Sequence, residues 1–277
     1  MIAAQMTFLT KLATASRTRD SIVCIGLDPE PALIPEHLGH GPQAAVRFLR
    51  RIVAATSELA CAYKPNLAFF EQYGSAGVDV LGLTLQAIPS DVPVILDAKR
   101  GDVPSTSIAY AEALFGRWKA DAATVAPYVG MDSIAPFCER GYALVLARTS
   151  NPGAGDLQDL EVEGRPLYEH VVRVTAARFP AERCGFVVGS TYPAEAKRIR
   201  ELAPDRLFLM PGVGAQGGEL TVAIQAAADR SGGGVLPSAS RSILYASRGK
   251  DFELAAARAA TALRDAANEA RLAVGRR

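Results

Sequence analysis

The sequence predicts an α/β fold, a (β/α)8 barrel of the TIM class. Three observations carry that expectation. Eight short apolar runs alternate with stretches of helical spacing along the whole chain. The 277 residues are close to the ~250 that one such barrel needs. The first run leads into Gly26-Leu27-Asp28-Pro29 and not into a GxGxxG turn, which disfavours an open, doubly wound sheet. Residues 1–277 read as one barrel domain, without a linker, low-complexity tract or charged tail.

The predicted strands are Ile22–Leu27, Ala60–Lys64, Val92–Lys99, Ala122–Val125, Ala143–Ala147, Gly185–Val188, Leu207–Met210 and Gly234–Pro237. Each is four to eight residues and mostly apolar, as parallel strands covered on both faces require. Helical spacing fills the intervals. Gln43–Leu59 places Val46, Leu49, Ile52 and Val53 on one face, and Pro104–Trp118 opens with proline at its first turn. Ala194–Leu202, Glu219–Ala228 and Phe252–Ala273 continue the alternation. Arg148–Arg165, rich in Gly, Pro, Asn and Asp, is expected to be a long loop.

Composition narrows the function classes. The apolar fraction is 49% and the charged fraction 21%, which excludes a disordered chain. Thirty basic and 29 acidic residues give a net charge of +1, so no global field draws the protein to nucleic acid or to an anionic membrane. No apolar run is long enough to span a bilayer, and Met1–Lys11 lacks the pattern of a signal peptide. Cys24, Cys61, Cys138 and Cys184 form no CxxC pair and lie at no metal-ligand spacing, which fits reduced thiols in a cytoplasmic protein.

In a barrel of this class, chemistry gathers at the C-terminal ends of the strands. Strand one ends in Asp28 and strand two in Lys64. Strand three ends in Asp97-Ala98-Lys99, with Asp102 just beyond. Alternation puts Asp97 and Lys99 on the same side, and Lys64 and Asp102 would extend them into an array of alternating charge. An apolar strand gains nothing from ending in such charges unless they are paired or used. A surface salt bridge is the bland alternative, and the matching charges on neighbouring strands argue against it. Strand five runs into Arg148-Thr149-Ser150-Asn151. Strand seven runs into the glycine-rich stretch Pro211–Gly218, whose backbone N–H groups could cradle a phosphate, and Arg241 beyond strand eight could add a bidentate contact.

These residues resemble the orotidine 5'-phosphate decarboxylase family, and look closest to its longer bacterial, type 2 subgroup. The most specific match is Leu96-Asp97-Ala98-Lys99-Arg100-Gly101-Asp102, the family's Asp-x-Lys-x-x-Asp motif. Gly26–Pro29, Tyr63-Lys64-Pro65-Asn66, Arg148–Gly153 and Pro211–Gly218 support it. The resemblance implies decarboxylation of orotidine 5'-phosphate to UMP and CO2, without metal or organic cofactor, in a homodimer with shared active sites. Lys99 would be the proton donor, with Asp97 and Lys64 completing its charge network. Asp102 would reach the reacting carboxylate from the neighbouring subunit, with Thr106 near the ribose. Asp28 and Lys64 would bind ribose hydroxyls and Ser150 the pyrimidine edge. Gln216 and Arg241 would hold the phosphate. The long loop after strand five, Ser240 before Arg241, and Asn66 depart from the commonest family pattern.

Two other readings compete. Mg2+-dependent sugar-phosphate decarboxylases and aldolases share the motif but need a carboxylate at the end of strand two, where this chain has Lys64. A non-catalytic phosphate-binding barrel would need the glycine-rich loop but not the paired charges. Elsewhere bland roles are expected. His37, His40 and His170 read as surface or capping residues, Arg50-Arg51 as a solvated face, and Trp118 as exterior packing. Ser190-Thr191-Tyr192 reads as a helix cap, with lining of the barrel mouth as the alternative.

Overall fold

A computed structural model describes residues 6–213 and 217–274. Eight parallel strands follow the predicted order: β1 (Cys24–Gly26), β2 (Ala62–Lys64), β3 (Ile95–Arg100), β4 (Ala122–Val125), β5 (Tyr142–Leu146), β6 (Cys184–Val187), β7 (Phe208–Pro211) and β8 (Val235–Ala239). They form one sheet in the order β2-β1-β8-β7-β6-β5-β4-β3. Parallel bridges Tyr63↔Val94 and Asn66↔Asp97 bring β3 back to β2, so the sheet curls into a barrel. Every predicted strand is present, with ends shifted by no more than three residues.

The five assigned helices are also present, with one change of character. The Pro104–Trp118 stretch is an α-helix over Pro104–Ala111 and then a π-helix over Glu112–Arg117. Helices Ala76–Ala87, Met131–Arg140 and Leu167–Arg178 cover the remaining intervals. The expected loop at Arg148–Arg165 is more ordered than its composition suggests. It holds a 3-10 turn (Pro152–Ala154), a short helix (Gly155–Gln158) and a two-stranded hairpin (Glu161–Val162 with Arg165–Pro166). Buried Arg148 fastens this excursion to the barrel through a two-pronged pair with Asp159, at 2.8 and 2.9 Å.

The N-terminal segment forms an unassigned helix, Phe8–Arg19, capped by Thr7. Its Phe8 and Leu12 join a cluster with Ala62, Ile95, Ala122, Tyr142, Leu144, Leu209 and Leu236. These are alternate, inward residues of six strands, so the helix plugs the end of the barrel opposite the strand termini. Arg51 is not simply solvated. It makes a two-pronged pair with Glu253 and lies over the Phe252 ring, joining helix Gly41–Thr56 to helix Phe252–Val274. His170 Nε2 meets the Val162 carbonyl at 2.6 Å, and Trp118 packs against the core from outside. No described helix is long and apolar enough to cross a membrane.

Candidate active site

Strand alternation builds the site from the core upward. The inward residues Ala62, Ile95 and Ala122 belong to the apolar plug region. Two residues further along the same strands, the inward positions are Lys64, Asp97 and Thr124. The apolar interior thus gives way to charge one layer below the barrel mouth.

Asp97 is the centre of this layer. Its Oδ2 accepts from Lys64 Nζ at 2.9 Å, and its Oδ1 accepts from Lys99 Nζ at 2.6 Å and from Thr124 Oγ1 at 2.8 Å. One carboxylate therefore holds two ammonium groups. Lys64 and Asp97 are almost wholly buried, whereas the Lys99 side chain is 48% exposed and reaches the open mouth. Burial pushes the Asp97 carboxyl up, but Lys64 and Lys99 outweigh it and hold the group well below the usual carboxylate range. Burial likewise pushes Lys64 down, and the Asp97 and Asp28 charges more than restore it, leaving its pKa raised. Beneath them, burial drives the Cys24 thiol up to about 12, so it is an inert neighbour and not a nucleophile.

Lys99 and Asp97 do share a side, as alternation predicts, but not through regular strand geometry. Between Leu96↔Ala123 and Arg100↔Val125 the register slips, so Asp97, Ala98 and Lys99 lie opposite Thr124 alone. Lys99 takes a positive φ of 47°, a conformation that costs a non-glycine residue energy. Its backbone N–H donates to Thr124 Oγ1 at 3.0 Å.

Asp28 lies beside this array. Its Oδ1 accepts the Asn66 backbone N–H at 3.2 Å, its Oδ2 accepts from Ser240 Oγ, and its carbonyl accepts from Tyr245 at 2.7 Å. The loops after β1, β2 and β8 are thereby tied together. A cavity of about 560 Å3 opens here, lined among others by Asp28, Lys64, Phe69, Gly212, Ser240 and Arg241. A second cavity of about 360 Å3 shares Gly212 and Val213 with it and is lined by Ser190 and Thr191. Tyr192 opens the next helix without a side-chain capping bond, so the mouth-lining reading of Ser190 and Thr191 replaces the cap. Ser150 sits where three loops meet. A side chain at Gly189 would come within 2.6 Å of its backbone nitrogen, and one at Gly212 would crowd its Cβ.

The structure therefore gathers Lys64, Asp97, Lys99, Asp28 and Arg241 around one mouth, with Ser150 on its rim. Asp102 does not join the array within this chain. Its Oδ1 accepts the Val103 N–H at 2.7 Å, and it makes no ion pair among the described residues. Thr106 lies in the first turn of the helix that follows. Arg100 turns away to Glu71, at 2.7 Å, and to the Tyr110 ring. Gln216 lies outside the described residues. Thr124, Asn66 and Tyr245 had no assigned role from sequence. For Thr124 a signal existed: it is the polar residue at an inward position of Ala122-Ala123-Thr124-Val125.

Fold and site together define an α/β barrel that gathers fixed, paired charges at the C-terminal ends of its strands. Comparison with known proteins then makes the class particular. Residues 21–256 match the orotidine 5'-phosphate decarboxylase / HUMPS family. The chain is 46% identical to an orotidine 5'-phosphate decarboxylase of Azoarcus over 268 residues, 95% of this chain and 99% of that one. It is 44% identical to one of Bordetella pertussis, covering 96% and 100%. A structure of Leishmania donovani OMP decarboxylase superposes with a TM-score of 0.84 at 36% identity, covering 96% and 99%. The chain belongs to the orotidine 5'-phosphate decarboxylase family.

Proposed function

We propose that the protein decarboxylates orotidine 5'-phosphate to UMP and CO2, the closing step of UMP synthesis, with Lys99 as the proton donor. The observation that carries this is the buried carboxylate of Asp97 shared between Lys64 and Lys99 at the barrel mouth. When CO2 leaves C6 of the pyrimidine, the electron pair of the broken bond stays on C6. An ammonium aimed at that atom stabilises the developing charge and then supplies its proton. Asp97 and Lys64 aim Lys99, so no reorganisation is needed at the moment of reaction. Asp28 and Lys64 bind the ribose hydroxyls, Ser150 the pyrimidine edge, and Arg241 with Gln216 the phosphate. Remote phosphate binding supplies the energy that orients the reacting ring.

The active unit is a homodimer in this reading. Asp102 makes no ion pair among the described residues and is flanked by exposed Val103 and Ile108, with exposed Tyr128 and Val129 on the neighbouring turn. A second subunit covering this apolar rim would bring Asp102 and Thr106 to the partner's substrate. Four buried free thiols fit a cytoplasmic location.

The test follows loss of orotidylate absorbance with purified protein, with and without EDTA, beside Lys99→Ala. Turnover that resists EDTA and vanishes in the variant is expected. Absence of turnover by folded protein refutes the reading; turnover abolished by EDTA refutes its metal-free chemistry, and a variant within about tenfold of wild type refutes the proton-donor role.

A further inference from the structure

We propose that Thr124 is the positioning residue that sets the aim of Lys99, through one hydroxyl that joins the Asp97 carboxylate to the Lys99 backbone. The inference rests on the decarboxylase reading of this site and adds a residue to it. The slip in register leaves three residues of β3 opposite Thr124 alone and interrupts the ladder toward β4, while Asp97 keeps its backbone bond to the Pro65 carbonyl on the β2 side at 2.9 Å. Thr124 Oγ1 bridges the interruption. It accepts the Lys99 N–H at 3.0 Å, which leaves its only hydrogen for Asp97 Oδ1 at 2.8 Å.

Both bonds bear on catalysis. The first holds Lys99 in its left-handed conformation, with φ of 47°, which returns the ammonium to within 2.6 Å of Asp97. The second fixes which oxygen of Asp97 faces Lys99 and leaves Oδ2 for Lys64. Thr124 is 1% exposed, so it acts through its neighbours and not on the substrate. Valine keeps the β-branched shape, so Thr124→Val removes the two bonds, at some cost in stability because the Lys99 N–H and Asp97 Oδ1 each lose a partner.

The experiment compares wild type, Thr124→Val and Thr124→Ser by steady-state kinetics, UMP calorimetry and amide exchange at Lys99. With active wild type, the valine variant is expected to lose about 10- to 100-fold in kcat. Its KM and UMP affinity should stay within about threefold of wild type. Its Lys99 amide should exchange faster, and serine should restore both kcat and protection. An unchanged kcat, a loss confined to KM, or an equal loss with serine overturns the proposal. Should valine fail to fold by circular dichroism, Thr124→Ala takes its place; failure of both to fold overturns the positioning role in favour of a purely structural one. Inactive wild type would refute the decarboxylase reading instead, and the exchange measurement, which needs no turnover, would still judge the Thr124 bonds.

Discussion

Replacing Asp97 with asparagine keeps the shape of the side chain and removes the charge that two lysines share. The Lys64 pair, at 2.9 Å and almost wholly buried, carries a Coulomb attraction of about 6 kcal/mol at an effective dielectric near 20. The Lys99 pair is shorter, but its lysine is half exposed, so water screens it to about 1 kcal/mol or less. Lys64 therefore decides the outcome. Removing one partner of a buried pair costs about 3–5 kcal/mol, because the other charge stays buried. The asparagine oxygen still accepts one hydrogen bond, returning about 1 kcal/mol, and Asp97→Asn should lose about 2–4 kcal/mol at pH 7.

The pH dependence gives the sharper test. The Asp97 pKa is lowered on folding, so its stabilisation is present above about pH 4 and lost as pH falls below that. The gap between wild type and variant should shrink in acid. It should shrink in alkali as well. The raised pKa of Lys64 in the wild type means its contribution is lost as pH climbs through the folded value. In the variant burial dominates, the Lys64 pKa falls, and stability recovers as pH rises through it. Urea denaturation from pH 3 to 10 at fixed protomer concentration reads out the acid limb and the recovery of the variant, the wild-type Lys64 loss lying above that range. Adding Lys64→Met to Asp97→Asn should restore part of the loss. A gap below about 1 kcal/mol at pH 7, or one unchanged between pH 7 and 3, would refute the reasoning.

Three further outcomes are expected. Arg241→Ala, at the rim of the 560 Å3 cavity, should weaken UMP binding by about 1.5–3 kcal/mol in calorimetry while leaving Tm unchanged; equal affinity would remove Arg241 from the phosphate site. Mixed inactive Asp102→Ala and Lys99→Ala subunits should regain activity, since one hybrid site receives both intact residues. No recovery despite proven subunit exchange argues against a shared site. Phe8→Ala should cost about 3–5 kcal/mol in denaturant unfolding, because Phe8 is 6% exposed and seals the barrel floor against Tyr142. A loss under 1 kcal/mol would mean the N-terminal helix is not a plug.

Sequence alone determined the barrel and the charged centre of its mouth. Both are written locally. Short apolar runs such as Ala122–Val125 mark buried parallel strands, and Lys64 and Asp97 sit where period-two alternation turns them inward. The local order inside the Arg148–Arg165 loop is not legible in the sequence, because glycine and proline mark turns without telling whether a distant pair, here Arg148 with Asp159, will fasten them. The N-terminal helix carries Phe8, Leu12 and Ala15 at helical spacing, but what that face covers is set by six strands far along the chain. Only the tertiary structure decided how Lys99 is aimed. Alternation places it beside Asp97, whereas the slip between β3 and β4, the positive φ and the Thr124 hydroxyl are properties of a strand pair. Register between strands depends on non-local contacts, so no window of one strand contains it.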